Sequence, residues 1–177
     1  MKTVAYLLIL VLIGACSKPN KKNIGGRYGP IFQNADSVLI VSHEPTDGIQ
    51  LYDEQTGKSS KPAPLLIENR LNQQIIKESF RVTGSQLDTL ASILARPKAD
   101  RKIKTGRCFI PHHAIVVYDR KNISYADICF SCRRIISSGE MSLFEGDFDD
   151  QKWKELLAFY QNYGVKYEVS GISFDEE

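Results

Sequence analysis

The chain has 177 residues, with 23 lysines and arginines against 21 aspartates and glutamates, and a formal net charge of +2. So even a balance excludes the basic footprint with which nucleic-acid-binding proteins hold phosphates, and no nucleic acid is expected as a partner. The length suits one domain with a core of its own once a short leader is set aside.

The leader reads MKTVAYLLILVLIGACSKPNKK. Lys2 supplies a positive start, Val4 to Ile13 is an unbroken apolar run, and Gly14 and Ala15 are the small residues a processing site requires. That order describes a secretory signal peptide. The run is shorter than the roughly 20 apolar residues a spanning helix needs. Ile13-Gly14-Ala15-Cys16 resembles the lipobox of bacterial lipoproteins, in which the cysteine sulfur receives a diacylglycerol before cleavage. The resemblance implies that residues 1–15 are a cleaved signal and that lipidated Cys16 anchors the protein to the bacterial membrane. Ser17, where an aspartate would retain the protein at the inner membrane, implies the outer membrane of the cell envelope. Several acyl chains, each worth about 0.8 kcal/mol per buried methylene, attach a protein stably where one chain does not. Residues 16–30 then lack apolar periodicity, are rich in Gly, Pro and Lys, and read as a flexible tether. The folded domain is expected over residues 31–177.

Within it, SVLIVSH and GIQLY flank Glu44-Pro45-Thr46-Asp47 and Gly48, which predicts two strands joined by a turn. LLIE and QQIIKESFRV predict further strands. In GSQLDTLASILARP, Leu87, Leu90, Ala91 and Leu94 recur at helical spacing, with Ser85 and Asp88 as a capping-box start and Pro97 beyond the end. HAIVVY and ISYADICF lie across Asp119-Arg120-Lys121-Asn122, which predicts a hairpin centred near Lys121. RRIIS reads as a last strand. In FDDQKWKELLAFYQNYG, Trp153, Leu156, Leu157 and Tyr160 form one stripe; Asp149 is the expected cap, Phe148 the staple against Trp153, and Gly164 the residue that closes the helix. This order predicts an α+β domain, a largely antiparallel sheet with two main helices packed on one face. Asp175-Glu176-Glu177 reads as a frayed acidic end.

The stretch CFIPHHAIVVYDRKNISYADICFSC, from Cys108 to Cys132, holds three of the four cysteines and two of the three histidines. A reversal near Lys121 sets Cys129 opposite the His113/Ala114 region and Cys132 opposite Ile110/Pro111, while Pro111 bends Cys108 back toward both. Cys129 and Cys132, three residues apart, point to opposite faces of a straight strand, so they act together only if the chain turns at Phe130-Ser131. Three uses stay open. Two cysteines form a disulfide and the third is a buried thiol, as an oxidising compartment favours. Cys108 with His112 or His113, followed by Cys129 and Cys132, forms a Cys3His zinc set. Or the cysteines form a thiol–disulfide catalyst with Cys129 attacking, for which Arg107, Arg133 and Arg134 supply cations, although Ile135 and Ile136 predict a strand where a thioredoxin-like centre has a helix. Those three arginines are also the candidate anion-binding residues.

No catalytic residue emerges elsewhere. His43-Glu44 lacks the second histidine of H-E-x-x-H, Gly57-Lys58-Ser59 lacks the first glycine of a P-loop, and Ser137 and Ser138 lack a G-x-S-x-G context. Cys108, then Pro111-x-His113-Ala114-Ile115 running into Tyr118-Asp119, then Ile128-Cys129-Phe130-x-Cys132, resembles a group of small bacterial cell-envelope lipoproteins of unassigned function. GDFDDQKWKELLAFYQNYGV resembles their closing helix. The likeness spans roughly residues 108–165 and brings no catalytic residue or cofactor with it. The expectation is a lipid-anchored envelope domain that acts by binding or as structure, the alternative a zinc or redox protein using Cys108, Cys129 and Cys132.

Overall fold

The computed structural model describes residues 25–46, 51–53, 58–99, 105–120 and 122–174. The expected signal, Cys16, Lys121 and the acidic end lie outside the described residues, as do the residues of the turn expected from Asp47 onward. In chain order the elements are α1 (Tyr28–Asn34), β1 (Ser37–His43), β2 (Leu51–Asp53), β3 (Lys58–Ser60), β4 (Leu66–Ile67), β5 (Arg70–Leu71), β6 (Ile76–Val82) and α2 (Ser85–Ala95). They continue with β7 (His113–Asp119), β8 (Asn122–Cys129), β9 (Arg134–Ser138) and α3 (Asp150–Asn162), with two short 3-10 turns before α3.

The main sheet has the order β6-β1-β7-β8-β9, and every pairing in it is antiparallel. β2 with β3 and β4 with β5 form two small separate hairpins. The fold is therefore α+β, an antiparallel sheet with α2 and α3 packed against it. Residue alternation sorts the strands onto two faces. Val38, Ile40, Ile115, Val117, Ala126 and Ile128 join Phe32, Leu90, Leu94, Trp153, Leu156 and Tyr160 in the larger core. Val41, Ala114 and Val116 turn the other way and pack with Leu65, Leu71 and Ile75. With both faces covered, the central strands carry continuous apolar runs rather than strict alternation. No helix among the described residues is long and apolar enough to cross a membrane.

Two local expectations need correction. The chain is already folded inside the segment expected as tether: α1 starts at Tyr28, and Tyr28 and Phe32 are each 2% exposed. Tyr28, Ile31 and Phe32 fall at helical spacing, and Pro30 is tolerated in a first turn, where the helix needs no amide donor. Gly25 lies so close to α2 that a Cβ would stand 2.3 Å from that of Ala91. The capping box at Ser85 does not form. Ser85 is the first helical residue, and Gly84 (φ +57) takes the cap position with no side-chain hydrogen bond. A left-handed residue turns the chain there directly from β6 into α2, and only glycine adopts that conformation at no steric cost.

α3 is framed at both ends by side-chain chemistry. Phe148 stacks on Trp153 with ring centroids 4.8 Å apart, as a hydrophobic staple does. At the far end Gly164 (φ +91) donates to Gln161 O at 2.9 Å and Val165 to Tyr160 O at 3.2 Å, the two bonds of a Schellman motif. Asp149, nearly buried, accepts from Lys152 N at 2.7 Å, from Ala99 N at 2.8 Å and from the Arg96 guanidinium at 2.7 and 3.2 Å. Burial alone would raise its carboxyl pKa, but these donors outweigh that and hold it well below the usual carboxylate range.

Asp149 thus caps α3 and ties it to the end of α2. Its contribution is present above the unfolded carboxyl pKa of about 4 and is lost as the pH falls below it. At neutral pH Asp149→Ala should cost about 2–4 kcal/mol, because it removes a cap, frees the Ala99 amide and leaves the Arg96 guanidinium with Glu155 alone. Asp149→Asn, which keeps the cap, should cost less. Urea denaturation of the two variants checks both.

Candidate functional site

β8 ends at Cys129, the chain turns across Phe130–Arg133, and β9 returns with Arg134 opposite Cys129. Arg133 closes the turn by donating its amide to Phe130 O at 3.2 Å, and it adopts a left-handed conformation (φ +54). That conformation costs a residue with a side chain roughly 1–2 kcal/mol. The guanidinium is fixed in return: Nη1 lies 2.6 Å from Asp150 Oδ1, Nη2 donates to Phe174 O at 3.3 Å, and the group stacks over the Phe174 ring. The turn brings Cys129 and Cys132 to a Cα separation of 5.3 Å, and they form a disulfide. Between them, Phe130 is 1% exposed and drives into the core, its ring 5.0 Å from His113, 5.3 Å from Tyr160 and 6.2 Å from Trp153.

Cys108 stands on the irregular segment before β7 and is exposed. Its Sγ lies 3.7 Å from Cys132 Sγ. Gly106 holds that segment in place by donating to Cys132 O at 2.8 Å, and a Cβ on Gly106 would meet Cys132 Cα at 3.2 Å. Around the buried disulfide, Cys132 N donates to Cys129 Sγ at 3.3 Å, and Ser131 Oγ lies 3.5 Å from the same sulfur. All three cysteines, His112 and His113 line one cleft of about 460 Å³, whose far wall comes from Glu168 and Ser170 to Ser173.

The hairpin register sorts the histidines. His113 pairs with Ile128, and His112 N donates to Ile128 O at 3.3 Å, so Cys129 lies alongside His112 rather than His113. The reversal is centred half a residue earlier than expected, with Arg120 at φ +54 as a tight hairpin turn requires. A one-residue slip changes the face a residue shares. His113 faces the helices, with Nε2 2.9 Å from Tyr167 O, and burial pushes its pKa down to about 4. His112 is half-buried, Nδ1 3.3 Å from His43 O, and burial lowers its pKa too. His43 is fully buried at the end of β1, with Nδ1 2.7 Å from Glu44 O and Nε2 3.1 Å from Asp127 Oδ1. Facing a carbonyl, which only accepts, His43 Nδ1 carries a hydrogen. The Thr46 hydroxyl donates to Asp127 Oδ2.

Set against the sequence expectations, the cleft gathers Cys108, His112, His113, Cys129 and Cys132, but not as a zinc set. Cys129 and Cys132 are bonded to each other, and the His113 ring is engaged by a carbonyl on the helix side. Among the described residues no group of three or more His, Cys, Asp or Glu is arranged to hold a metal ion. The third thiol is exposed rather than buried, because Cys108 precedes the sheet instead of lying in it. Cys129 is not placed to attack: it is buried and already oxidised, and the accessible sulfur is Cys108. The three candidate anion-binding arginines go to separate places. Arg133 binds Asp150, Arg134 Nε lies 3.9 Å from Glu145 and its group covers Phe109, and Arg107 is exposed on the loop.

Sequence reasoning missed the His43–Asp127–Thr46 group and the wall from Glu168 to Ser173. Asp127 carried a usable signal, since a carboxylate amid the apolar residues of YADICF needs a buried partner. The wall carried none.

His113 sets a pH dependence. Its folded pKa lies below the unfolded value of about 6.5, so the unfolded chain binds the proton more readily and stability falls as the pH drops from 6.5 toward 4. The loss between pH 7 and pH 5 should be about 2 kcal/mol, and His113→Gln should flatten it. Urea midpoints at the two pH values read the difference.

No protein-family model, curated protein or solved structure matches the chain.

Proposed function

We propose that this protein is a lipid-anchored domain of the bacterial cell envelope, held by Cys16, whose cleft exchanges thiols and disulfides with cysteine-bearing partners. The observation that carries the exchange reading is the exposed Cys108 sulfur, 3.7 Å from Cys132 Sγ at the mouth of a cleft. Cys108 gives up its proton to water, and its thiolate attacks one sulfur of a partner disulfide. The S–S electron pair leaves with the other sulfur, which takes a proton from water, and a mixed disulfide on Cys108 remains. The partner disulfide is itself the oxidant, and none beyond it is needed. An oxidising compartment supplies such disulfides. The anchoring reading is supported by the order of charge, apolar run, small residues and cysteine at the start of the chain.

A second reading, a binding domain in which Cys129–Cys132 is only a staple, is favoured by the burial of both sulfurs. Glutathione disulfide separates the two. In the exchange reading the native protein gains one glutathione on Cys108, and Cys108→Ser gains none while keeping its disulfide and its melting temperature. A wild-type protein that stays unmodified defeats exchange and leaves the staple.

The anchor is tested by the intact mass of the mature protein. Acyl groups should add to an N-terminal Cys16, and Cys16→Ser should move the domain from the detergent to the aqueous phase.

A further inference from the structure

We propose that the Cys129–Cys132 bond and a Cys108–Cys132 bond are two interconverting states of one centre, and that the exchange between them switches the exposed thiol off. The proposal concerns regulation of the exchange site and rests on that reading for its use.

The geometry names the attacked sulfur. Cys108 Sγ lies 3.7 Å from Cys132 Sγ, and a bond between them requires closure to about 2 Å. The segment that must move is irregular: Cys108 lies between the backbone bonds that Gly106 makes to Cys132 O and that His112 makes to His43 N and Ile128 O. Gly106, bonded to Cys132 O, is the pivot that keeps Cys108 over its target while the side chain closes. The leaving sulfur is provided for as well. When Cys108 bonds to Cys132, Cys129 departs, and its negative charge meets the Cys132 amide at 3.3 Å and the Ser131 hydroxyl at 3.5 Å. Donors aimed at a sulfur favour its thiolate and make it a better leaving group.

The step balances within the protein. Cys108 loses its proton to water, and the thiolate attacks Cys132 Sγ. The Cys129–Cys132 bond breaks with its electron pair on Cys129, which takes a proton from water. One S–S bond forms, one breaks, and nothing is oxidised or reduced overall. The states differ in what they present. With Cys129–Cys132 bonded the free thiol is exposed Cys108; with Cys108–Cys132 bonded it is Cys129, at 2% exposure beneath the turn. The same rearrangement ties the segment before β7 to the β8–β9 turn. A partner disulfide reaching the cleft then finds no accessible thiolate.

The test uses wild-type protein held at pH 8 without added thiol, quenched in acid, blocked with N-ethylmaleimide in denaturant and digested without reduction. The expected result is label divided between Cys108 and Cys129, with a Cys108–Cys132 peptide rising as the Cys129–Cys132 peptide falls. Gly106→Val, which crowds the pivot, should slow that rise on the order of 10–100-fold, as small misplacements of a reacting group do. Cys129→Ser should form Cys108–Cys132 in mild oxidant and stop gaining glutathione. Label confined to Cys108 in the wild type, together with two free thiols in Cys129→Ser, overturns the switch. If Cys108 still takes up glutathione in that case, exchange stands without the switch. If both isomers appear but no glutathione is gained, the switch stands and exchange falls.

Discussion

The aromatic seat of Phe130 is the constraint on which the arrangement of the cleft depends. Cys129-Phe130-Ser131-Cys132 could have continued as strand, with its two sulfurs on opposite faces of the sheet. Phe130 keeps the helix-side face of Ala126 and Ile128 and is buried among His113, Tyr160 and Trp153. Beyond it the chain instead leaves the sheet, in a turn closed by left-handed Arg133. Burying a phenylalanine is worth about 1.5–3 kcal/mol, enough to offset the roughly 1–2 kcal/mol that left-handed Arg133 costs. The Arg133–Asp150 pair then joins the turn to the first residue of α3, the helix that carries Trp153 and Tyr160. Turn and helix position each other. The disulfide follows from the turn, since a reversal of this length puts the two Cβ atoms in reach.

The polar residues at this end of the sheet hold the other wall. Ser42, beside His113 in the β1–β7 ladder, donates to Glu78 Oε2 at 2.7 Å. The same carboxylate accepts from the Lys166 and Tyr167 amides at 3.1 Å. Burial would raise the Glu78 pKa, but Ser42 and these two amides bring it below the ordinary value. Together with the His113 contact to Tyr167 O, they lash the chain after α3 to the edge of the sheet, directly before the residues that line the cleft. A neutral His113 and a charged Glu78 therefore act on one segment, and the cleft wall depends on the protonation of both.

How much of this was legible follows from which interactions were local. α3 could be read nearly whole, because Phe148, Asp149, Trp153 and Gly164 act on residues within a few positions of themselves. The β7–β8 hairpin was legible for the same reason, short of half a residue in its centre, and that half residue decided which histidine Cys129 accompanies. The position of β1 between β6 and β7 was not legible, since antiparallel neighbours far apart in sequence leave no periodic trace. His43 and Asp127 meet only because of that placement. α1 was hidden by its glycines and proline, which look like tether until Tyr28 and Phe32 find the core. The cleft wall belongs to the same class, fixed by contacts between residues some 90 positions apart, such as Glu78 with Lys166.

An internal nucleophile so close to a disulfide has a consequence for any external one. Groups held in reacting geometry behave as though present at molar concentrations or far above, whereas a partner reaching the cleft from solution must lose its own translational freedom first. Cys108 therefore meets Cys132 far more often than any partner sulfur, unless the loop between Thr105 and His112 holds the two apart. At 3.7 Å they touch without bonding, with Gly106 near enough to keep them neighbours. The loop decides the competition. In the exchange proposed above, a partner that seats itself in the cleft and draws Cys108 outward would shift it toward external exchange, and one that presses the loop inward would shift it toward the closed isomer. The chemistry available to the three sulfurs is set less by any one thiol than by a few backbone atoms around Gly106.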